Sequence, residues 1–207
     1  MRYLLISILI ISVFGCKVAT VDNFTESEVK SNDVVQNAYF SNANIDYVYK
    51  ADIAVYGNEF SGILILKKVT PKKHRIVFTS QFGSTFFDIE FEKNQYKINS
   101  IVEQLDRKII LNTLIRDFSL LIKERGTVEG KYYDDTYNVL KNVRDKRSNY
   151  YFYNQSDMRL HKIVHTTKRK EKFIILFNDV SKDLIAKNIR IDHKNIKLNI
   201  DLNFLKK

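Results

Sequence analysis

The sequence predicts an antiparallel α+β fold built on a curled or barrel-like sheet. Three observations carry this. Apolar and polar residues alternate with a period of two through much of residues 47–91 and again through 196–204, as in strands with one buried face. One segment between them repeats its apolar residues at spacings of one, three and four, as a helix does. The strand segments are joined by short turns, which favours antiparallel neighbours.

The elements follow in chain order. Arg2 supplies a positive start, and residues 4–14 are almost uninterruptedly apolar. That run is too short for a permanent span, which needs about 20 residues. A basic start, an apolar middle and a small residue, Gly15, have the layout of a secretory signal. Val13-Phe14-Gly15-Cys16 resembles the lipobox of bacterial lipoproteins, although Phe14 is bulkier than usual at its place. The resemblance implies a signal peptide over residues 1–15 and lipidation of Cys16, which becomes the new N-terminus. The alternative is a buried helix followed by a core cysteine. Cys16 is the only cysteine, so the chain makes no internal disulfide and its core must hold it together.

Residues 16–45 read as a lipid-anchored tether, with Ser31, Asn32 and Asp33 placed to cap a short helix through Phe40. Residues 46–207 read as the folded domain. Ala51, Ile53 and Val55 mark a first strand, and residues 60–66 a second after Gly57-Asn58. The only proline, Pro71, lies in a basic turn. Residues 75–79 form a strand broken by Ser80-Gln81-Phe82-Gly83, and residues 86–91 resume it. Phe87, Ile89 and Phe91 share one face there, with Asp88 and Glu90 on the other. Residues 96–101 read as a further short strand. The helix covers residues 109–122, and its stripe is broad enough to be buried against a sheet. Residues 126–147 are polar and read as loop with a short helix or strand. Strands resume at 150–153, 160–165 and 173–177. The cleanest is 196–204, where Ile196, Leu198, Ile200, Leu202 and Phe204 alternate with polar residues.

Hydrophobic residues make up 44% of the chain, enough for one domain with a real core. The formal charge is +10, which suits nucleic acid or an anionic membrane. An exported protein seldom meets nucleic acid, so lipid head groups are the expected partner and no nucleic acid is expected. A solvated basic surface without a specific partner is the alternative. Lys168-Arg169-Lys170 reads as a hairpin turn or, alternatively, as a head-group contact.

Beyond the lipobox, residues 49–91 resemble the first half of LolB, the outer-membrane lipoprotein receptor. The likeness rests on a strand, then Ser61-Gly62 opening the next strand, a basic turn, and the passage Arg75-Ile76-Val77-Phe78-Thr79-Ser80-Gln81-Phe82-Gly83-Ser84-Thr85. The helix beginning Leu111-Asn112-Thr113-Leu114 and the pair Asn188-Ile189-Arg190-Ile191 and Ile196-Lys197-Leu198-Asn199-Ile200 are also similar. The chain departs from the family in lacking tryptophan, in having Gln81 where a proline is common, and in its basic charge. The resemblance implies an unclosed antiparallel β-barrel with helices covering an apolar cavity for acyl chains. It implies an outer-membrane lipoprotein, lipid-anchored and facing the periplasm, that accepts acylated lipoproteins from a LolA-like carrier and inserts them. The family's protruding apolar loop residue corresponds to Phe82, beside Gly83.

An acyl chain gains about 0.8 kcal/mol per CH₂ withdrawn from water, so a lipidated cargo needs an apolar container. Alternate residues of a curled sheet can line one. The expected inward set is Ile63, Ile65, Phe78, Phe87, Ile89 and Phe91 in the first half, with Phe173, Ile175, Phe177, Leu198 and Ile200 in the second. The same residues would equally fill an ordinary core. Phe82 is expected either to stand exposed at a loop tip or to fold back onto the sheet.

His161 and His165 are four apart, but in a strand context without a nearby cysteine or carboxylate, so no metal site is expected. Asp134-Asp135 and the Asp88/Glu90 pair sit among solvated residues, and no nucleophile elbow or glycine-rich phosphate loop occurs. The expectation is therefore a monomeric binding protein, not an enzyme, with no cofactor. The alternative function is a lipid-anchored periplasmic binding or scaffold module with a packed core and no transfer activity.

Overall fold

The computed structural model describes residues 19–206; the expected leader over 1–15 and Cys16 lie outside the described residues. After a 3-10 turn at Ala19–Val21 come β1 (Thr25–Ser27), β2 (Val34–Gln36), β3 (Asp46–Val55), β4 (Asn58–Thr70), β5 (Lys73–Ser80), β6 (Thr85–Glu92) and β7 (Gln95–Ile101). The helix α1 (Lys108–Leu121) follows. The chain then runs through β8 (Arg125–Thr127), β9 (Gly130–Tyr133), β10 (Tyr137–Arg144), β11 (Arg147–Asn154) and β12 (Leu160–Thr167). It ends with β13 (Lys170–Val180), β14 (Ala186–His193) and β15 (Leu198–Lys206).

Thirteen strands form one antiparallel sheet in the order β1-β9-β10-β11-β12-β13-β14-β15-β3-β4-β5-β6-β7, and β2 pairs with β8 in a second small sheet. Two meanders, β3–β7 and β9–β15, are thus joined at a seam where β15 runs against β3, with Leu198 opposite Val55 and Ile200 opposite Ile53. Two-residue turns drive the meanders. Tyr56 and Gly57 both have positive φ, as do Lys168 and Arg169, the mirror-image turn geometry that matches strand twist. Lys168 and Arg169 therefore do form a hairpin turn. The sheet does not close: β1 and β7 are its edges. It curls nonetheless, since Arg144 Nη1 at the β10–β11 turn donates to Asn94 Oδ1 at the β6–β7 turn, 2.7 Å away.

Inside the curl lies α1. Its eight buried residues include Leu114, Phe118 and Leu121 at no more than 0% exposure, and Phe118 packs on Phe87 with ring centroids 5.6 Å apart. No side chain caps its start, so packing holds the helix. Its end is tied by Asn37, whose Nδ2 donates to the Leu121 carbonyl at 2.8 Å. Among the described residues no helix is long and apolar enough to cross a membrane.

Two expectations change here. The short helix through Phe40 is absent. Val34–Gln36 is instead strand β2, and Val35, Tyr39 and Phe40 are buried in the main core. Three aromatic or branched side chains bury more area as a strap across the sheet than a short exposed helix could. Residues 126–147, expected as loop with a short helix or strand, supply two strands, β9 and β10. Their apolar residues are sparse because β10 is half-buried on both faces. A satellite cluster explains why Tyr150-Tyr151-Phe152-Tyr153 is aromatic throughout. Tyr151 and Tyr153 join the main core, while Tyr150 and Phe152 pack outward under Val21 and Phe24.

Candidate functional site

Two features stand out from the scaffold: the hairpin tip at Phe82 and a cleft beside α1. The hairpin is fixed by its backbone. Ser80 N–H donates to the Ser84 carbonyl at 2.7 Å and Gly83 N–H to the Ser80 carbonyl at 3.0 Å. Ser84 N–H also donates to Ser80 Oγ at 3.1 Å. Gly83 has a φ of +87°, which only glycine adopts without strain. The tip therefore holds Phe82 away from the sheet, and the side chain is 96% exposed. Of the two expectations for Phe82, exposure is what the structure shows.

The residues expected to line a cavity are placed differently. Phe78, Phe87, Ile89, Phe173, Ile175, Phe177, Leu198 and Ile200 are all buried, at 1% exposure or less. They belong to one packed cluster with α1, not to an open chamber. Ile63 and Ile65 lie on the opposite face: in β4 it is Leu64 and Leu66 that are fully buried. Residues 62–66 are apolar or glycine at every position, so alternation could not set the phase. Pairing of Leu64 with Tyr49 and Phe78 sets it. The helices expected over the mouth are also corrected: among the described residues a single α-helix fills the concave face, and the strap through Tyr39 and Phe40 covers one end.

Among the expected cavity residues, Phe91 alone lines the cleft, whose volume is about 840 Å³. Its walls are the β4–β5, β6–β7 and β10–β11 turns and the C-terminal half of α1. Phe91, Ile115, Leu120 and Ile122 form the apolar part, each only 5–9% exposed. Asn112, Arg116, Ser119 and Lys123 line it as a polar stripe at spacings of three and four. That stripe was readable on the helix and is the signal that the periodicity analysis passed over. Arg144 and Arg147 join from a turn whose place beside α1 no sequence spacing reveals.

At the inner end of the cleft, three rings stack across neighbouring strands. His165 lies on Phe173 at 4.8 Å between centroids, and Phe173 on His193 at 5.1 Å. Arg116 sits over Phe173 at 4.7 Å. His193 donates from Nδ1 to the Leu198 carbonyl at 2.9 Å. Its Nε2 is 3.0 Å from Asp117 Oδ2, with both side chains fully buried. Arg116 Nη2 donates to Asp117 Oδ1 at 3.2 Å and lies 3.4 Å from His193 Nε2, so the helix meets β14 at this point. His165 Nδ1 donates to Asn149 Oδ1 at 2.7 Å. Burial first, then the charges of Arg116 and Arg147, push the His165 imidazole down to about 4. The Lys123 ammonium is likewise pushed down, by burial and then by Arg144. Cations outnumber carboxylates along the cleft wall, although Asp117 is paired with Arg116 at 3.2 Å at its inner end. His161 is set apart from His165 by a bulge in β12 opposite Phe152 and Tyr153, and it stacks on Tyr137 instead. Among the described residues no group of three or more His, Cys, Asp or Glu side chains is arranged to hold a metal ion.

An unclosed antiparallel sheet curled around a helix, with a cleft at the helix end, defines a half-barrel class of folds. Within that class the chain has the LolA-like fold. It superposes on a LolA superfamily protein from Nitrosomonas europaea with a TM-score of 0.51 and 8% identity, over 78% of this chain and 84% of that one. At that identity the likeness is one of fold. An outer membrane lipoprotein-sorting protein domain, so described provisionally, from Vibrio parahaemolyticus gives 0.46 at 8% identity, over 77% of this chain and 83% of that one. A DUF1329 family protein from Desulfovibrio piger gives 0.43 at 7% identity, over 77% and 83%. These two scores are too low to bear on function. No protein-family model matches the chain, and no curated protein matches it.

Proposed function

We propose that this protein is a cell-envelope lipoprotein, anchored through Cys16 to the outer membrane and facing the periplasm. It accepts acylated lipoproteins from a LolA-like carrier and passes them to the membrane. It works by binding, without covalent chemistry. The observation that carries the reading is Phe82, 96% exposed at the tip of a backbone-fixed hairpin. Burying such a side chain in a bilayer gains about 1.5–3 kcal/mol, which is a reason to expose it that solubility does not offer. The LolA-like fold supports the cargo class.

The anchor fits the same orientation. Thr20 Oγ1 donates to Glu171 Oε1 at 2.8 Å, at the start of β13. Lys194 N–H reaches the Lys172 carbonyl at 2.8 Å, and Tyr56 N–H the Lys197 carbonyl at 2.9 Å. The Thr20 contact lies at the rim formed by the β12–β13, β14–β15 and β3–β4 turns, which the other two bonds tie together. The register runs the β5–β6 turn bearing Phe82 toward that same rim. Four residues span at most roughly 14 Å, so a lipidated Cys16 would hold this rim close to the bilayer.

A second reading, an anchored binding or scaffold module, is favoured by the filled interior: α1 occupies the space where acyl chains were expected. One assay separates the two. The full lipidated chain is placed in liposomes and mixed with a cognate carrier loaded with an acylated lipoprotein. Cargo should move to the liposomes. Phe82→Glu should still accept cargo, detected by crosslinking, yet fail to deliver it, with an unchanged unfolding midpoint because the side chain touches almost nothing. A folded wild type that draws no cargo from its carrier would leave the scaffold reading.

A further inference from the structure

We infer that the cleft beside α1 is a binding site for an amphiphile with one acyl chain and an anionic phosphate or carboxylate head. The inference rests on the lipid-handling reading above and adds to it the head-group chemistry and the residues. The cleft's size, about 840 Å³, is that of a small-molecule site, roughly 300–1,000 Å³. It suits a single chain with its head better than the several chains of a whole lipidated terminus.

Its lining is divided. The apolar part, Phe91, Ile115, Leu120 and Ile122, gives an alkyl chain a surface drawn from the edge of the main core. Around it stand seven Lys or Arg side chains against two carboxylates. One of those carboxylates, Glu124, is already engaged by Lys68 at 2.6 Å. Lys72, Lys93, Arg125 and Arg147 are exposed at the rim and make no side-chain hydrogen bond or ion pair among the described residues. Deeper in, Arg116 and Lys123 are half-buried, so water screens them less than the rim charges. A concave wall of one sign focuses its field on whatever enters. Arg116 is paired with Asp117 at 3.2 Å and Lys123 donates to Asn142 Oδ1 at 2.9 Å, so an anionic head would meet chiefly the unpartnered Arg147 and the rim cations, with Lys123 behind them, and it would place the chain against the apolar part.

Competition binding by native mass spectrometry on the full chain tests this. The probes are lysophosphatidylglycerol, lysophosphatidylcholine and a monoacylglycerol of equal chain length, and inorganic phosphate alone. Charge-assisted contacts at a half-buried site should favour lysophosphatidylglycerol about tenfold over the other two lipids. The Lys93→Glu/Arg147→Glu variant should lose that preference while still binding monoacylglycerol. Both positions are exposed, so folding is not at stake, and retained binding of the neutral lipid verifies it. Bound lysophosphatidylglycerol should also raise the His165 titration midpoint, followed by ring-proton NMR. Equal binding of all three lipids would overturn the head-group assignment. Phosphate binding as tightly as the anionic lipid would show a free-anion site and overturn the amphiphile. Failure of every probe alongside successful cargo transfer would sink this inference while leaving the proposed function intact.

Discussion

His165 shows how one residue can report on its whole surroundings. It is 4% exposed, stacked on Phe173 and bonded to Asn149, and the cationic wall of the cleft adds to the burial that keeps it neutral. With a folded value of about 4 against 6.5 for the free group, the unfolded chain takes up a proton over that interval and the folded chain does not. Stability therefore falls as pH drops from about 6.5 to about 4 and stops falling on this account below it. The loss should be about 3 kcal/mol at most. Chemical unfolding at pH 7 and pH 4.5 checks the sign, and a His165→Gln variant should show a shallower slope. The histidine itself is visible in the sequence. Its burial is not, because that depends on α1 bringing Arg116 onto the β12–β14 face.

At the scale of elements, β4 decides most about the candidate site, since it fixes which residues look inward and where the Phe82 hairpin starts. Gly62 is the tight point. A Cβ there would lie 1.9 Å from the Thr79 carbonyl oxygen, a backbone atom that cannot swing aside. Gly62→Ala should cost about 1–3 kcal/mol or more and loosen the β4–β5 pairing at the base of the hairpin. Differential scanning calorimetry with amide exchange at Thr79 and Ser80 would read both effects; an unchanged midpoint would mean that the two strands do not approach this closely. The strands bounded by clear turns, β3, β5, β6, β13 and β15, could be placed from their alternation. β4 could be located but not phased, because its residues are apolar on both sides. β10 was not placed because its residues are half-buried on both faces, and β9 because its four residues are too few to show a period.

For the whole molecule, the organising feature is the seam between the two meanders and the segment that closes it. Residues 19–45 are not a spacer. Val21 packs on the outer cluster, and Val35, Tyr39 and Phe40 pack in the main core. Tyr153 Oη donates to the Gln36 carbonyl at 2.8 Å, and Asn37 ties down the end of α1. Deleting residues 17–45 should remove four buried side chains worth about 1.5–3 kcal/mol each, a loss comparable to the roughly 5–15 kcal/mol by which domains are stable. The truncated chain should unfold without a cooperative transition in circular dichroism. A cooperative transition at the wild-type midpoint would return the segment to the role of tether.

The sequence by itself determined the antiparallel class, the helix within a residue at either end, the turn at Lys168 and Arg169, and the strand break that carries Phe82. Each is a local property: a period of two or of 3.6, a turn that needs positive φ, an aromatic side chain between residues that break a strand. The tertiary structure alone decided that α1 occupies the concave face, that Leu64 and Leu66 rather than Ile63 and Ile65 look inward, and that the open space lies beside the helix under a basic rim. Those outcomes depend on pairings such as β15 with β3 and on contacts such as Arg144 with Asn94, fifty residues apart in the chain. Burial is the free-energy term that selects among such arrangements, and it is a property of which surfaces meet, not of the order in which residues are joined.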